Sequence, residues 1–297
     1  MRLQELGASG IQVSRVGLGC NNFGRRLDLA GTRVVVEAAL SAGITFFDTA
    51  DVYGDGDSER FLGEVLEDRR EQVVLATKFG FGGGGPAAAG SRDFIRRSLD
   101  ASLERLRTDH LDVYYYHRPD GVTPMAETIA SLRELVDEGR VRAIGISNVS
   151  VAQVEEAVEA GSVAAVQNEY SLLDRTVEAD VLPRCHELGV GFVPYFPLAS
   201  GLLTGKYRRG EPPPPGSRLE GRPERLTAEA FDRVEALEEF ARARGHTLLE
   251  LAIAALASEP GVPSVISGAT SPDQVRQNAA AADGELGEDD REQLRQL

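Results

Sequence analysis

"QVVLATKFGFGGGGPAAAGSRDFIRRSLDASLERL", residues 72–106, decides which α/β fold the chain adopts. Its first seven residues form an apolar, β-branched run that reads as a buried strand, and Ile95, Leu99, Leu103 and Leu106 recur at helical spacing after the cap residue Ser91. Between them Gly80, Gly82 and Gly85 stand in G-x-G-x-x-G order, the pattern of a dinucleotide-binding turn. Such a turn opens a helix directly on the pyrophosphate and is followed about 20 positions later by an acidic residue at the end of a second strand. Here Pro86 and an alanine run follow, and the later region is the helix over 95–106. The stretch is therefore a strand, a long loop and a helix, and the doubly wound nucleotide fold is excluded.

The same unit repeats on both sides. "VGLG" (16–19), "ITFFD" (44–48), "LDVYYYH" (111–117), "VRAIGIS" (141–147), "VAAVQNE" (163–169), "VGFVPY" (190–195) and "SVISG" (264–268) are further strand candidates. Helical patterns separate them, such as Ile129, Leu132, Leu135 and Val136 ahead of Gly139. Eight such units in 297 residues predict a (β/α)8 TIM barrel, one domain over 1–297, with reactive groups at the C-terminal ends of the strands. "LQELGASGIQVSRV" (3–16) predicts an N-terminal β-hairpin before the first barrel strand. Two long loops interrupt the rhythm, 80–90 and the Pro- and Gly-rich 205–227, and loops of that length in a compact fold serve as lids or binding loops. "GLLTGKY" (201–207) imitates a phosphate-binding P-loop, but three residues separate its glycines instead of four, and Tyr207 stands where Ser or Thr must ligate magnesium.

Composition narrows the function. A net charge of −15 repels a phosphate backbone and an anionic bilayer surface, so neither nucleic acid nor membrane is an expected partner. The N-terminus lacks an apolar signal core and no apolar run approaches membrane-spanning length, which makes a cytoplasmic location the expectation. The two cysteines, Cys20 and Cys185, form no CxxC pair, and the four histidines show no ligand spacing, so no metal site is expected.

The chemistry lies at strand ends. Asp48, Lys78 and His117 close three consecutive strands, and Tyr53 follows Asp48 on the next loop, so a parallel barrel brings all four to one mouth. A phenol is a poor acid at its usual pKa near 10; an ammonium such as Lys78 stabilises the phenolate and is expected to lower that value. Asp48 can keep the ammonium charged away from water. His117 can hydrogen-bond a carbonyl oxygen and orient it toward Tyr53. Together these groups suit proton donation to a carbonyl that receives a hydride.

"FFDTADVYG", "ATKFG", "YYYHRPD", "GISN", "VQNEYSLL", "PLASGLLTGKY" and "GATSPDQVRQN", in this order, closely resemble the aldo-keto reductase superfamily over nearly the whole chain. The resemblance implies an oxidoreductase moving hydride between NADPH, with NADH possible, and a small-molecule aldehyde, ketone or sugar. It implies Tyr53 as general acid/base, Lys78 and Asp48 tuning it, and His117 positioning the carbonyl. For the cofactor it implies Ser147, Asn148 and Gln167 on the carboxamide, Tyr195 stacked on the nicotinamide, and Gly19, Cys20 and Asp48 along the path. Leu198, Ser200, Gly201 and Leu202, with Lys206 just beyond, would hold the phosphates. Gly268, Thr270, Gln274, Gln277 and Asn278 would take the adenosine end.

Departures from the family pattern concern detail. Hydroxyls and an amide (Thr270, Ser271, Gln274) stand where many members place a cation for the 2′-phosphate, with Arg276 nearby. The chain has no tryptophan, so the substrate pocket is expected to use Asn21, Phe23, Phe79 and Arg118 beside Tyr53 and His117. Two rival readings are a nicotinamide-nucleotide-sensing regulatory subunit on the same barrel and a glycosidase using Asp48 and Glu169, the second of which leaves Tyr53 and Lys78 idle.

Overall fold

Alternation along the strands builds the barrel. The computed structural model describes residues 1–81 and 88–297. A hairpin of β1 (Leu3–Glu5) and β2 (Gln12–Ser14) precedes eight parallel strands: β3 (Val16–Gly19), β4 (Phe46–Asp48), β5 (Val74–Phe79), β6 (Leu111–Tyr116), β7 (Val141–Ser147), β8 (Ala165–Gln167), β9 (Gly191–Phe192) and β10 (Val265–Gly268). They pair in chain order from β3 to β9, with β10 on the free side of β3. The Ile266 N–H donates to the Pro194 carbonyl at 2.9 Å and draws the two edges together. All eight strands and the hairpin expected from the sequence are present.

Phe46, Ala76, Val113, Tyr115, Ala143, Ala165, Val193 and Ile266 fill the interior, and Leu6, Ile11 and Val13 of the hairpin pack with them as a plug. Successive side chains of a strand face opposite sides, so this set fixes which residues look inward at the far end. Asp48, Lys78, His117, Ser147, Gln167 and Tyr195 lie two or four positions on from interior residues and share their side. Gly145 is needed for close approach: a Cβ there would lie 2.3 Å from the Tyr115 ring.

The opposite face of each strand packs under α1 (Leu29–Ser41), α2 (Asp57–Leu66), α3 (Arg92–Leu106), α4 (Met125–Asp137), α5 (Val151–Ala160), α6 (Val181–Glu187), α7 (Ala228–Arg242), α8 (Leu248–Ala257), α9 (Pro272–Ala281) and α10 (Glu288–Arg295). Ile95, Leu99, Leu103 and Leu106 form the buried stripe of α3, as their spacing predicts, although the Ser91 side chain makes no capping hydrogen bond. No described helix is long and apolar enough to cross a membrane. Of the 80–90 loop, positions 82–87, which include Gly82, Gly85 and Pro86, lie outside the described residues.

Candidate active site

The four expected catalytic residues converge. Lys78 is fully buried; its Nζ donates to Asp48 Oδ1 at 2.5 Å and to the Thr49 carbonyl at 2.8 Å. The second Asp48 oxygen accepts from Gln167 Nε2 at 2.9 Å. Nζ lies 5.3 Å from the Tyr53 ring centre, and the Tyr53 and His117 rings meet edge to face at 6.0 Å. Tyr53 rides on a tight turn in which Gly54, Asp55 and Gly56 all have positive φ, and its N–H donates to the Ala50 carbonyl at 3.1 Å.

Electrostatics differ from the expectation at one point. Burial is the largest single influence and opposes the Lys78 charge, but Asp48, helped by Tyr53 and Cys20, outweighs it and holds the ammonium above its ordinary value. For Tyr53, burial pushes the pKa up and Lys78 only partly offsets it, so the phenol is not acidified; desolvating a phenolate costs more than one already paired ammonium returns. Burial, reinforced by Lys78 and Arg118, pulls His117 down to about 2. At neutral pH the mouth therefore holds a protonated phenol, a neutral imidazole and a charged lysine. The Nδ1 of His117 is buried with no hydrogen-bond partner among the described residues.

The groups expected to meet the cofactor form a second network. Ser147 Oγ donates to the Gln167 carbonyl at 2.6 Å. Asn148, at φ 58°, donates from Nδ2 to the His117 carbonyl at 2.9 Å and accepts from the Tyr195 hydroxyl at 2.7 Å. Tyr195 is half-buried, and its neighbours Phe196, Ala199 and Ser200 hold positive φ, a cluster of strain of the kind found at ligand sites. Beside this turn the exposed Lys206 folds over Gly201, where a Cβ would lie 2.9 Å from Nζ. Leu198 is half-buried, and Leu202 packs into the sheet–helix core. Gly268 lies open at the end of β10, flanked by Asn21 and Asn22 from the end of β3. Thr270 donates to Gln274 Oε1 through its N–H at 2.7 Å and its hydroxyl at 3.1 Å, while Gln277 is exposed and Asn278 is buried on the packed side of α9. Arg276 pairs with Asp273 on the surface.

Three residues do not sit as expected. Phe79 has the opposite alternation to Lys78; it points outward, fully buried between Tyr114 and Tyr116 with ring centres 4.7 and 5.2 Å away, and cannot line the pocket. Phe23 is likewise fully buried in the sheet–helix core. The Cys20 side chain belongs to that core too, its Sγ donating to the Leu18 carbonyl at 3.3 Å.

The aromatic at the mouth is Phe81, 46% exposed, 4.6 Å from the His117 ring and under the Arg118 guanidinium at 5.3 Å. A second residue missed by the sequence reading is Arg218. It is half-buried, stacks on Phe196 at 5.1 Å, has no acidic partner among the described residues, and feels the charges of Arg26, Arg222 and Arg25 and the Tyr53 phenol. Its place in the 205–227 loop was the available signal. Glu169 lines a cavity of about 320 Å³ with Asp174, Ser200 and Arg225, beside the turn at 199–201, whereas Asp48 is buried beneath Lys78 and Gln167, so the two carboxylates do not flank a common bond.

The chain belongs to the aldo-keto reductase family, whose model, described as "Aldo/keto reductase family", matches residues 15–297. It is 37% identical over 302 residues to a probable voltage-gated potassium channel subunit beta of Oryza sativa subsp. japonica, covering 95% of this chain and 92% of the relative. It is 36% identical over 298 residues to probable aldo-keto reductase 1 of Glycine max, covering 96% and 86%. Among solved structures, an aldo-keto reductase from Bacillus halodurans in its holo form superposes with a TM-score of 0.85 at 31% identity, covering 100% of this chain and 96% of that one. The glycerol dehydrogenase of Gluconobacter oxydans does so with a TM-score of 0.85 at 28% identity, covering 99% and 94%.

Proposed function

We propose that this protein is an oxidoreductase that moves hydride between NADP(H) and the carbonyl or alcohol of an aldehyde, ketone or sugar, with Tyr53 as general acid/base. The carrying observation is the convergence of the Tyr53 phenol, the buried Lys78–Asp48 pair and His117 at one mouth. The residues fit a nicotinamide dinucleotide. Arg218 is a half-buried guanidinium without an acidic partner among the described residues, and Lys206 lies over the strained turn at 199–201, so two cations stand ready for phosphate. The nicotinamide, when bound, supplies or accepts the hydride.

The chain's own residues perform the remaining steps. His117 orients the carbonyl oxygen toward Tyr53, and the phenol donates its proton as charge develops on that oxygen. Lys78 stabilises the phenolate left behind, and Asp48 keeps the ammonium charged. In the reverse direction the phenolate would accept the alcohol proton.

The test is a titration with NADPH and NADH, followed by energy transfer from tyrosine, in wild type and Lys206→Met. If Lys206 meets the diphosphate beside the 199–201 turn, the variant loses roughly tenfold or more for NADPH and NADH alike, about 1.5 kcal/mol for one charged hydrogen bond. Unchanged affinity for both would remove Lys206 from that role. A second reading, a regulatory subunit that senses nicotinamide nucleotide, is supported by the printed name of the rice relative. It requires cofactor binding without turnover over a broad carbonyl panel.

A further inference from the structure

Behind the mouth, in the layer under α2 and α3, lies a polar cluster that the proposed chemistry does not use. Glu59 of α2 is fully buried; it accepts from Thr77 Oγ1 at 2.6 Å and pairs with Arg105 Nε of α3 at 2.6 Å. Asp51, on the loop from β4 to Tyr53, has a buried carboxylate oxygen with no hydrogen-bond partner among the described residues, and so does the buried Tyr114 hydroxyl of β6. The charges facing Asp51 are Glu59 from α2, Arg105 from α3 and Lys78 from β5. Arg105 already compensates Glu59 in direct contact, and Lys78 is committed to Asp48, so among the described residues a second carboxylate charge in this layer has no counterion of its own.

The same short loop fixes the catalytic phenol. Thr49 N–H donates to the Ala76 carbonyl at 2.9 Å, Asp51 N–H to the Lys78 carbonyl at 3.1 Å, and Tyr53 N–H to the Ala50 carbonyl at 3.1 Å. An uncharged Asp51 can stay in the layer at modest cost. An ionised one is driven toward water, and only Val52 separates it from Tyr53 along the chain.

We propose that Asp51 is a positioning residue for Tyr53: uncharged, it seats the 49–53 loop on the end of β5, and on ionising beside Glu59 it unseats the loop and carbonyl turnover falls. The inference rests on the reading of Tyr53 as the acid. Burial and Glu59 push Asp51 up to about 7, which puts the change in the neutral range.

The experiment is the pH profile of kcat/KM for NADPH-dependent carbonyl reduction, together with the pH dependence of the thermal midpoint, in wild type, Asp51→Asn and Glu59→Gln. Wild type should lose about tenfold per pH unit above 7, as for loss of one required proton. Asp51→Asn should match wild type at pH 6 and stay level to pH 9. Glu59→Gln should move the decline to lower pH, since a raising charge is removed. Asp51 favours its protonated form in the folded state, so its own contribution to stability is lost as pH rises from about 4 to 7, and the wild-type midpoint should fall relative to that of the Asn variant across that window. An Asp51→Asn profile that retains the wild-type decline, or activity lost at every pH with an unchanged thermal midpoint, overturns the inference alone. Absence of any wild-type turnover defeats the reading on which it rests.

Discussion

Asp48→Ala tests the buried ion pair that supports the site. The Lys78 and Asp48 side chains are 1% and 4% exposed. Truncation leaves the Lys78 ammonium with the Thr49 carbonyl and no carboxylate, and it strips Gln167 Nε2 of its acceptor. Removing one partner of a buried pair costs roughly 3–5 kcal/mol, because the surviving charge stays desolvated. An unfolding entropy of about 2.1 cal/mol/K per residue over 297 residues is about 0.6 kcal/mol/K, so the midpoint should fall by roughly 5–8 °C. Thermal unfolding followed by circular dichroism without cofactor measures this directly. The sign with pH is also set. In wild type the raised Lys78 contributes stability below its unfolded value, near 10.4, that is lost at higher pH. In the variant the uncompensated lysine titrates low, so the gap to wild type should narrow between about pH 7 and 10. Adding Lys78→Met should recover much of the loss. A variant within about 1 kcal/mol of wild type, or a double variant no more stable than Asp48→Ala, would refute the reasoning.

Two further expectations separate packing from chemistry. His117 is held neutral, so relative to His117→Asn the wild type should lose up to about 1.4 kcal/mol of stability per pH unit as pH drops from 6.5 to 4, and parallel midpoint curves for the two proteins would contradict it. Phe79→Ala should cost roughly 3–5 kcal/mol as a core truncation yet leave KM near wild type, whereas Phe81→Ala should change KM with little loss of stability. Urea titration and steady-state kinetics on both variants decide the matter, and an interchange of the two outcomes would contradict the assignment.

Periodicity made the barrel legible. Strands buried on both faces read as short apolar runs, and helices as stripes spaced at three and four, so eight units and the hairpin could be counted directly. Strand ends were legible too, because a charged residue closing an apolar run has only the barrel mouth to occupy; hence Asp48, Lys78 and His117. Phe79 shows what alternation could have supplied: one position beyond an inward Lys78, it must face outward. The Tyr53 shift was not readable, since it is a contest between burial depth and one ammonium, and burial depth is a tertiary quantity. Arg218 was hidden for a related reason. Its stacking on Phe196 depends on how the 205–227 loop folds back, which local spacing does not encode.

The most direct test of the central claim is NADPH oxidation by wild type and Tyr53→Phe over a panel of aldehydes, ketones and sugars, with NADPH affinity measured on both proteins. Wild type should turn over, and the variant should lose at least about a hundredfold in kcat at near-equal affinity, because only the proton donor is removed. Undiminished turnover by Tyr53→Phe would contradict it, and NADPH binding by wild type with no turnover of any carbonyl would favour the regulatory reading instead.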